Sequence, residues 1–156
     1  MVLSGALHYR IKDATMKAIY VQNDQLLAGT VQGGKLLDGE EFSVVPNRSL
    51  DAKRSPIILG IEDGSQCLSV GMDQQPILHI EHKNIMDLYC SKEESKNFTF
   101  YMWNMWDSGL TYRLESALYP GWFLCTLHQQ NQPVTLTNHP DDLGSVITDF
   151  YLNLCG

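Results

Sequence analysis

Apolar residues recur along this chain in short runs of strand length, each closed by a turn. "KAIYV", "EEFSVV", "PIILGI", "CLSVGM", "PILHIEH", "FTFYMW", "TYRLES", "WFLCTL", "PVTLT" and "DFYLNL" are rich in β-branched and aromatic residues. Those side chains suit a pleated, half-buried surface. Turn residues separate the runs: Gln22-Asn23-Asp24, Gly33-Gly34, Asp38-Gly39, Pro46-Asn47, Glu62-Asp63-Gly64, Asp107-Ser108-Gly109 and Pro120-Gly121. Helical spacing is confined to "NIMDLYCSKEESK", where Ile85, Met86 and Tyr89 line up for a single turn. The pattern predicts an all-β sandwich or barrel. No linker or low-complexity block interrupts it, so a single domain over residues 1–156 is expected.

A repeat decides between sandwich and barrel. "AIYVQNDQLLAG", "LGIEDGSQCLSVG" and "SALYPGWFLCTL" share one layout of apolar residues, tight turn and apolar run. Superposing Gln25, Gln66 and Trp122 gives offsets of 41 and 56 residues. Superposing Gly34, Gln75 and Gln132 in "GKLLDGEE", "QPILHIEH" and "QPVTLTNH" gives 41 and 57. "FTFYMW" and "TDFYLN" echo each other, with Phe100 over Phe150. Three similar units predict a β-trefoil, a six-stranded barrel capped by three hairpins with a pseudo-threefold axis. Each hairpin alone leaves its apolar face wet, and closure around the axis buries that face and removes sheet edges. A β-sandwich gives no reason for a threefold repeat.

Charge narrows the partners. With 18 acidic and 11 basic residues the net charge is −7, which argues against nucleic acid and against an anionic membrane surface. The N-terminal "MVLSGALHYRIKD" has its apolar stretch broken by Ser4 and Gly5, followed by His8, Arg10, Lys12 and Asp13. No signal peptide and no membrane-inserting run are expected from it. Cys67, Cys90, Cys125 and Cys155 are too irregularly spaced for a zinc site or a dense disulfide framework, and read as buried free thiols. The sequons Asn47-Arg48-Ser49 and Asn97-Phe98-Thr99 are expected to stay unglycosylated.

Catalytic chemistry finds little support, and no cofactor is expected. In "HIEH", His79 and Glu81 share one strand face and His82 points to the other, so the histidines do not converge on a metal. Ser69 in "CLSVG" lacks the first glycine of a nucleophile elbow. Glu40-Glu41, Glu93-Glu94 and Asp141-Asp142 read as solvated loop carboxylates with no apolar pocket to shift them. A binding surface of loops on a rigid barrel is the better reading. Arg48, Lys53 and Arg54 gather in the loop Pro46–Pro56 of an otherwise acidic chain. Met102, Trp103, Met105 and Trp106 crowd a second loop, where a strand places Trp103 and Met105 on one face and Met102, Asn104 and Trp106 on the other. Exposed Trp and Met favour protein contact; the alternative is that both tryptophans close the core.

"LESALYPGWFLCT", Leu114 to Thr126, resembles the signature of the interleukin-1 cytokine family, with Leu114 standing where that pattern has Phe or Cys. An apolar exchange at a packed strand position is tolerated. The resemblance extends through "MVLSGAL", "QLLAG", "SVVPNR", "GSQCLS", "FTFY", "QPV" and "ITDFY". It implies a β-trefoil cytokine, monomeric, released by an unconventional route, that binds the ectodomain of an interleukin-1-type receptor, specifically the interleukin-36 receptor. It further implies that Ile11-Lys12-Asp13 marks a mature start at Val2, so that loss of Met1 gives the active form. The candidate receptor-facing residues are then Val2 and Leu3, the loop residues Arg48, Lys53, Arg54, Trp103 and Trp106, and Asp141 and Asp142. An antagonist keeps the receptor contact and fails to recruit the accessory chain, whereas an agonist makes both contacts on the same fold. Antagonism is the expectation. The loops "YMWNMWDSGLTYRLES" and "TNHPDDLGSV" leave agonism open, and a trefoil that binds carbohydrate or inhibits proteases is the alternative of another class.

Overall fold

The structure, a computed structural model, describes residues 7–89, 95–105 and 110–155. The first unit contains β1 (Leu7–Asp13), β2 (Ala18–Gln22), β3 (Gln25–Gly29), a small ribbon of β4 (Val31–Gln32) and β5 (Lys35–Leu36), and β6 (Glu41–Pro46). The second contains β7 (Pro56–Ile61), β8 (Gln66–Asp73), β9 (Gln75–Glu81), the short helix α1 (Ile85–Tyr89) and β10 (Thr99–Asn104). The third contains β11 (Tyr112–Ser116), β12 (Phe123–Cys125), β13 (Gln132–Pro133), β14 (Thr135–Thr137) and β15 (Phe150–Leu154).

Antiparallel pairing closes six of these strands into a ring. β1 pairs β6, β6 pairs β7, β7 pairs β10, β10 pairs β11, β11 pairs β15, and β15 returns to β1. The hairpins β2–β3, β8–β9 and β12–β14 stand off the ring, one per unit. This is the β-trefoil that the threefold pattern predicts. Phe100 and Phe150 fall in β10 and β15, the closing barrel strands of the second and third units, as their alignment requires.

The repeat register needs one correction. Gln66 opens β8 and Trp122 immediately precedes β12, and both strands are first arms of cap hairpins. Gln25 opens β3, a second arm, and Gly34 precedes β5, which belongs to the side ribbon. The 41-residue offset therefore slips the first unit by one strand. A turn followed by an apolar run describes either arm of a hairpin; only hydrogen-bond partners tell them apart.

"LHYRIKD" is absent from the strand runs of the sequence reading, yet it forms β1 and pairs on both edges. Leu7, Tyr9 and Ile11 alternate with His8, Arg10 and Lys12, the pattern of a half-buried strand that contains no continuous apolar run. "PVTLT" is divided between β13 and β14, with Pro133 unable to donate a ladder hydrogen bond.

Strand alternation sorts residues inward and outward. Ile57, Leu59 and Ile61 of β7 join Ile11, Phe42, Leu68, Phe100, Leu114, Leu124, Leu136 and Phe150 in the barrel core. Ile58 points the other way, into a second cluster with Val45, Cys67, Phe98, Ile85 and Leu88. The helical turn thus exists, but its buried contacts include Ile85 and Leu88, three apart; Met86 is only half-buried.

Candidate functional site

The basic loop is organised before it reaches the barrel. Asp51 accepts from the backbone N of Lys53 at 3.0 Å, starting a 3-10 turn over Ala52–Arg54. Ser55 closes it in the left-handed region, at φ 51°. Its carbonyl accepts from the Met102 N–H at 3.1 Å, which fastens the loop to β10. Arg54 consequently leans over that strand, its guanidinium 3.9 Å from the Tyr101 ring centroid and 5.9 Å from that of Trp103. Both distances suit cation–π attraction.

Glu115 collects the donors that result. Its Oε1 accepts from Arg54 Nη2 at 3.2 Å and from Trp103 Nε1 at 2.8 Å. Its Oε2 accepts from the backbone N of Gly121 at 2.7 Å. Glu115 is only 6% exposed, whereas Trp103 is 46% exposed. The carboxylate is buried and hydrogen-bonded beneath an indole that faces solvent.

The strip continues across β11. Trp103 stands opposite Arg113 in the β10–β11 register, and Tyr101 opposite Glu115; residues so paired share a face. Arg113 Nη1 contacts Asp141 Oδ1 at 2.9 Å and its Nε donates to Asp149 Oδ1 at 3.0 Å. Burial alone would lower the Arg113 pKa; its bonds to Asp149 and Asp141 more than offset this and raise it. Arg54, Trp103, Arg113 and Asp141 form one surface strip, drawn from two loops and two strands.

The sequence candidates divide accordingly. Arg54, Trp103 and Asp141 are brought together. Arg48 and Lys53 are exposed on the same loop as Arg54, and Asp142 is exposed beside Asp141. Val2, Leu3 and Trp106 lie outside the described residues. Of the alternating set around β10, Phe100 is buried and Met102 packs on the core, while Trp103 takes the outward face; it does not close the core. Sequence reasoning missed Tyr101, Glu115, Arg113 and Asp149. The alternation of "TFYMWN" and "YRLES" marks their shared face in hindsight, but only the register sets Trp103 against Arg113.

Other candidates also resolve. His79 lies opposite Ser69, whose hydroxyl donates to Glu81. Among the described residues no three His, Cys, Asp or Glu side chains gather as metal ligands. Glu40 departs from the reading of unshifted loop carboxylates: burial, then the charge of Glu62, raises its pKa. Glu41 belongs to β6 and meets His8 Nδ1 at 3.3 Å. Cys67 and Cys125 are buried free thiols with pKa values pushed up to about 12, by burial in both and by the charge of Glu81 at Cys67. Cys90 lies outside the described residues.

Known proteins match this architecture and sequence. The family description "Interleukin-1 / 18" matches residues 31–152. The human interleukin-36 receptor antagonist protein is 56% identical over 99% of both chains. The chain belongs to the interleukin-1 family. Among solved folds, chicken interleukin 1 beta superposes with a TM-score of 0.79 at 27% identity, over 96% of this chain and 97% of that one. The pro-inflammatory cytokine interleukin-36alpha superposes with a TM-score of 0.76 at 25% identity, over 100% and 99%.

These relatives are cytokines and a receptor antagonist, and the chain is an interleukin-1 family cytokine rather than an enzyme. The signature stretch and the motif that the resemblance singled out near the N-terminus meet physically. Asp13, closing Ile11-Lys12-Asp13, accepts from the hydroxyl of Thr126, the last signature residue, at 2.6 Å. The same carboxylate holds buried Lys17 at 2.8 Å. The interleukin-1 signature is therefore tied at one end to β1 and at the other, through Glu115, to the Arg54–Trp103 surface.

Proposed function

We propose that this chain is an extracellular, monomeric antagonist of the interleukin-36 receptor, with residues 1–156 forming one cytokine unit exported by an unconventional route. It binds the receptor ectodomain and leaves the accessory receptor chain unrecruited. The observation that carries this reading is the 56% identity to the human interleukin-36 receptor antagonist protein over 99% of both chains. Arg54 and Trp103 are the proposed centre of the receptor contact, an arginine and an exposed tryptophan of the kind that dominates binding energy. Arg48, Lys53, Asp141 and Asp142 extend it, and Val2, Leu3 and Trp106 contribute from outside the described residues.

The test is a cell reporter for the interleukin-36 receptor, with the protein added alone and against a fixed dose of agonist. Antagonism requires silence alone and suppression of the agonist. A signal from the protein alone reverses the assignment to agonist. No effect in either arm removes the receptor from the reading.

A further inference from the structure

We infer that Glu115 is the positioning residue of the receptor-facing surface, converting the fold of the Tyr119-Pro120-Gly121 turn into the placement of Trp103 and Arg54. This inference rests on the receptor contact proposed above and deepens it. Three N–H donors from three separate parts of the chain converge on one carboxylate: Arg54 Nη2 and Trp103 Nε1 on Oε1, and Gly121 N on Oε2. The Trp122 N–H donates to the Tyr119 carbonyl at 3.2 Å. Ser116 Oγ accepts from the Tyr119 N–H at 3.1 Å. The turn is thus fixed on its own side. Gly121 adopts φ 90°, which favours glycine and aims its N–H at Glu115.

Among the described residues, Trp103 is held by Glu115 and by the Arg54 guanidinium 5.9 Å from its ring. It is half-exposed, and its indole N–H is spent on Glu115. Arg54 is stacked on Tyr101 and directed by the same oxygen. A long arginine and an exposed indole explore many rotamers in the absence of such a partner, and ordering them at binding costs affinity. Held by Glu115, they are ordered beforehand.

Only a carboxylate satisfies the site. Glutamine has the same shape but one acceptor oxygen and an amide NH2 that donates. Turned either way, that NH2 faces donors: Gly121 N–H on one side, or Arg54 and Trp103 on the other. With its oxygen toward Gly121, the glutamine releases Arg54 and Trp103; with its oxygen toward them, it releases the turn and holds them by neutral hydrogen bonds weaker than the carboxylate's, with no change of volume either way.

The experiment measures binding to the soluble interleukin-36 receptor ectodomain for the parent, Glu115→Gln, the double variant Arg54→Ala/Trp103→Phe, and the triple variant. The indole N–H resonance of Trp103 is followed by NMR in the parent and in Glu115→Gln, and assigned by its absence in Trp103→Phe. Glu115→Gln is expected to weaken binding about tenfold, to shift the Trp103 resonance and speed its hydrogen exchange, and to add no loss in the double-variant background. Parent-like binding by Glu115→Gln beside a weakened double variant overturns the inference and leaves the receptor surface standing. A full additional loss in the triple variant also overturns it, because Glu115 then acts through the fold. Parent-like binding by the double variant removes the proposed surface itself and the inference with it.

Discussion

At the scale of single residues, Asp13 shows how much one carboxylate organises. Its Oδ1 accepts from Thr15 N, Thr15 Oγ1 and Lys17 N, and its Oδ2 from Thr126 Oγ1 and Lys17 Nζ. Lys17 is 2% exposed, a burial that requires a partner charge. Burial alone would raise the Asp13 pKa; the bonds from Lys17, Thr126 and Thr15 outweigh it and hold the carboxyl below its ordinary 3.8. A depressed carboxylate stabilises the fold above its unfolded pKa, and that contribution is lost as pH falls through the folded value. Asp13→Asn strands Lys17 and should cost about 3–5 kcal/mol at pH 7. In urea unfolding the gap between parent and variant should begin to shrink below about pH 4, where the unfolded parent takes up the proton, and close further as pH falls through the lower folded value. A gap of constant size down to pH 2 contradicts this account. Asn47 is a parallel case: its amide donates to Ser95 Oγ at 3.0 Å and Thr99 Oγ1 at 2.8 Å inside the fold, so the sequon nitrogen is occupied by structure.

At the scale of elements, α1 is too short to be stable alone. It exists because Ile85 and Leu88 fill the outer cluster over Val45, Ile58 and Cys67. Gly60 makes room for it: a Cβ there would lie 3.2 Å from Ile85 Cδ1. Leu88→Ala should therefore destabilise the protein by about 2–5 kcal/mol, a fall in Tm on the order of 10 °C. A shift of only a degree or two in a thermal melt would mean that the helix merely rests on the barrel. The hairpins show the limit of local reading. Their existence, turns and faces are plain in the alternation, while which arm corresponds to which is set by pairing partners distant in sequence.

For the whole molecule, ring closure fixes distances that a linear chain leaves open. β1 is paired along both edges and pinned at Asp13 to the third unit. The N-terminal residues are consequently counted from β1, and each residue there changes the maximum reach of the chain by about 3.3–3.6 Å. Protein beginning at Val2 should bind the interleukin-36 receptor more tightly than protein beginning at Met1, measured by titration of the ectodomain on each form. Equal affinities would show that the end does not reach the contact. Closure also explains why the candidate surface was half legible. Arg54 and Trp103 stood out by composition, but their partner Glu115 lies inside the signature stretch, which drew notice only for the family resemblance it carries.

The sequence by itself determined the strand composition, the threefold architecture and the family, because alternation, turn residues and the signature stretch are local and dense in information. Tertiary structure decided the register of the first unit, the burial of Lys17 against Asp13, and the meeting of Arg54, Trp103, Glu115 and Gly121. The meeting at Glu115 joins segments far apart in sequence; Lys17 lies only four residues from Asp13, but the same carboxylate also takes Thr126 of the third unit, and the register is set by which strands pair. Their geometry exists only once the barrel has closed.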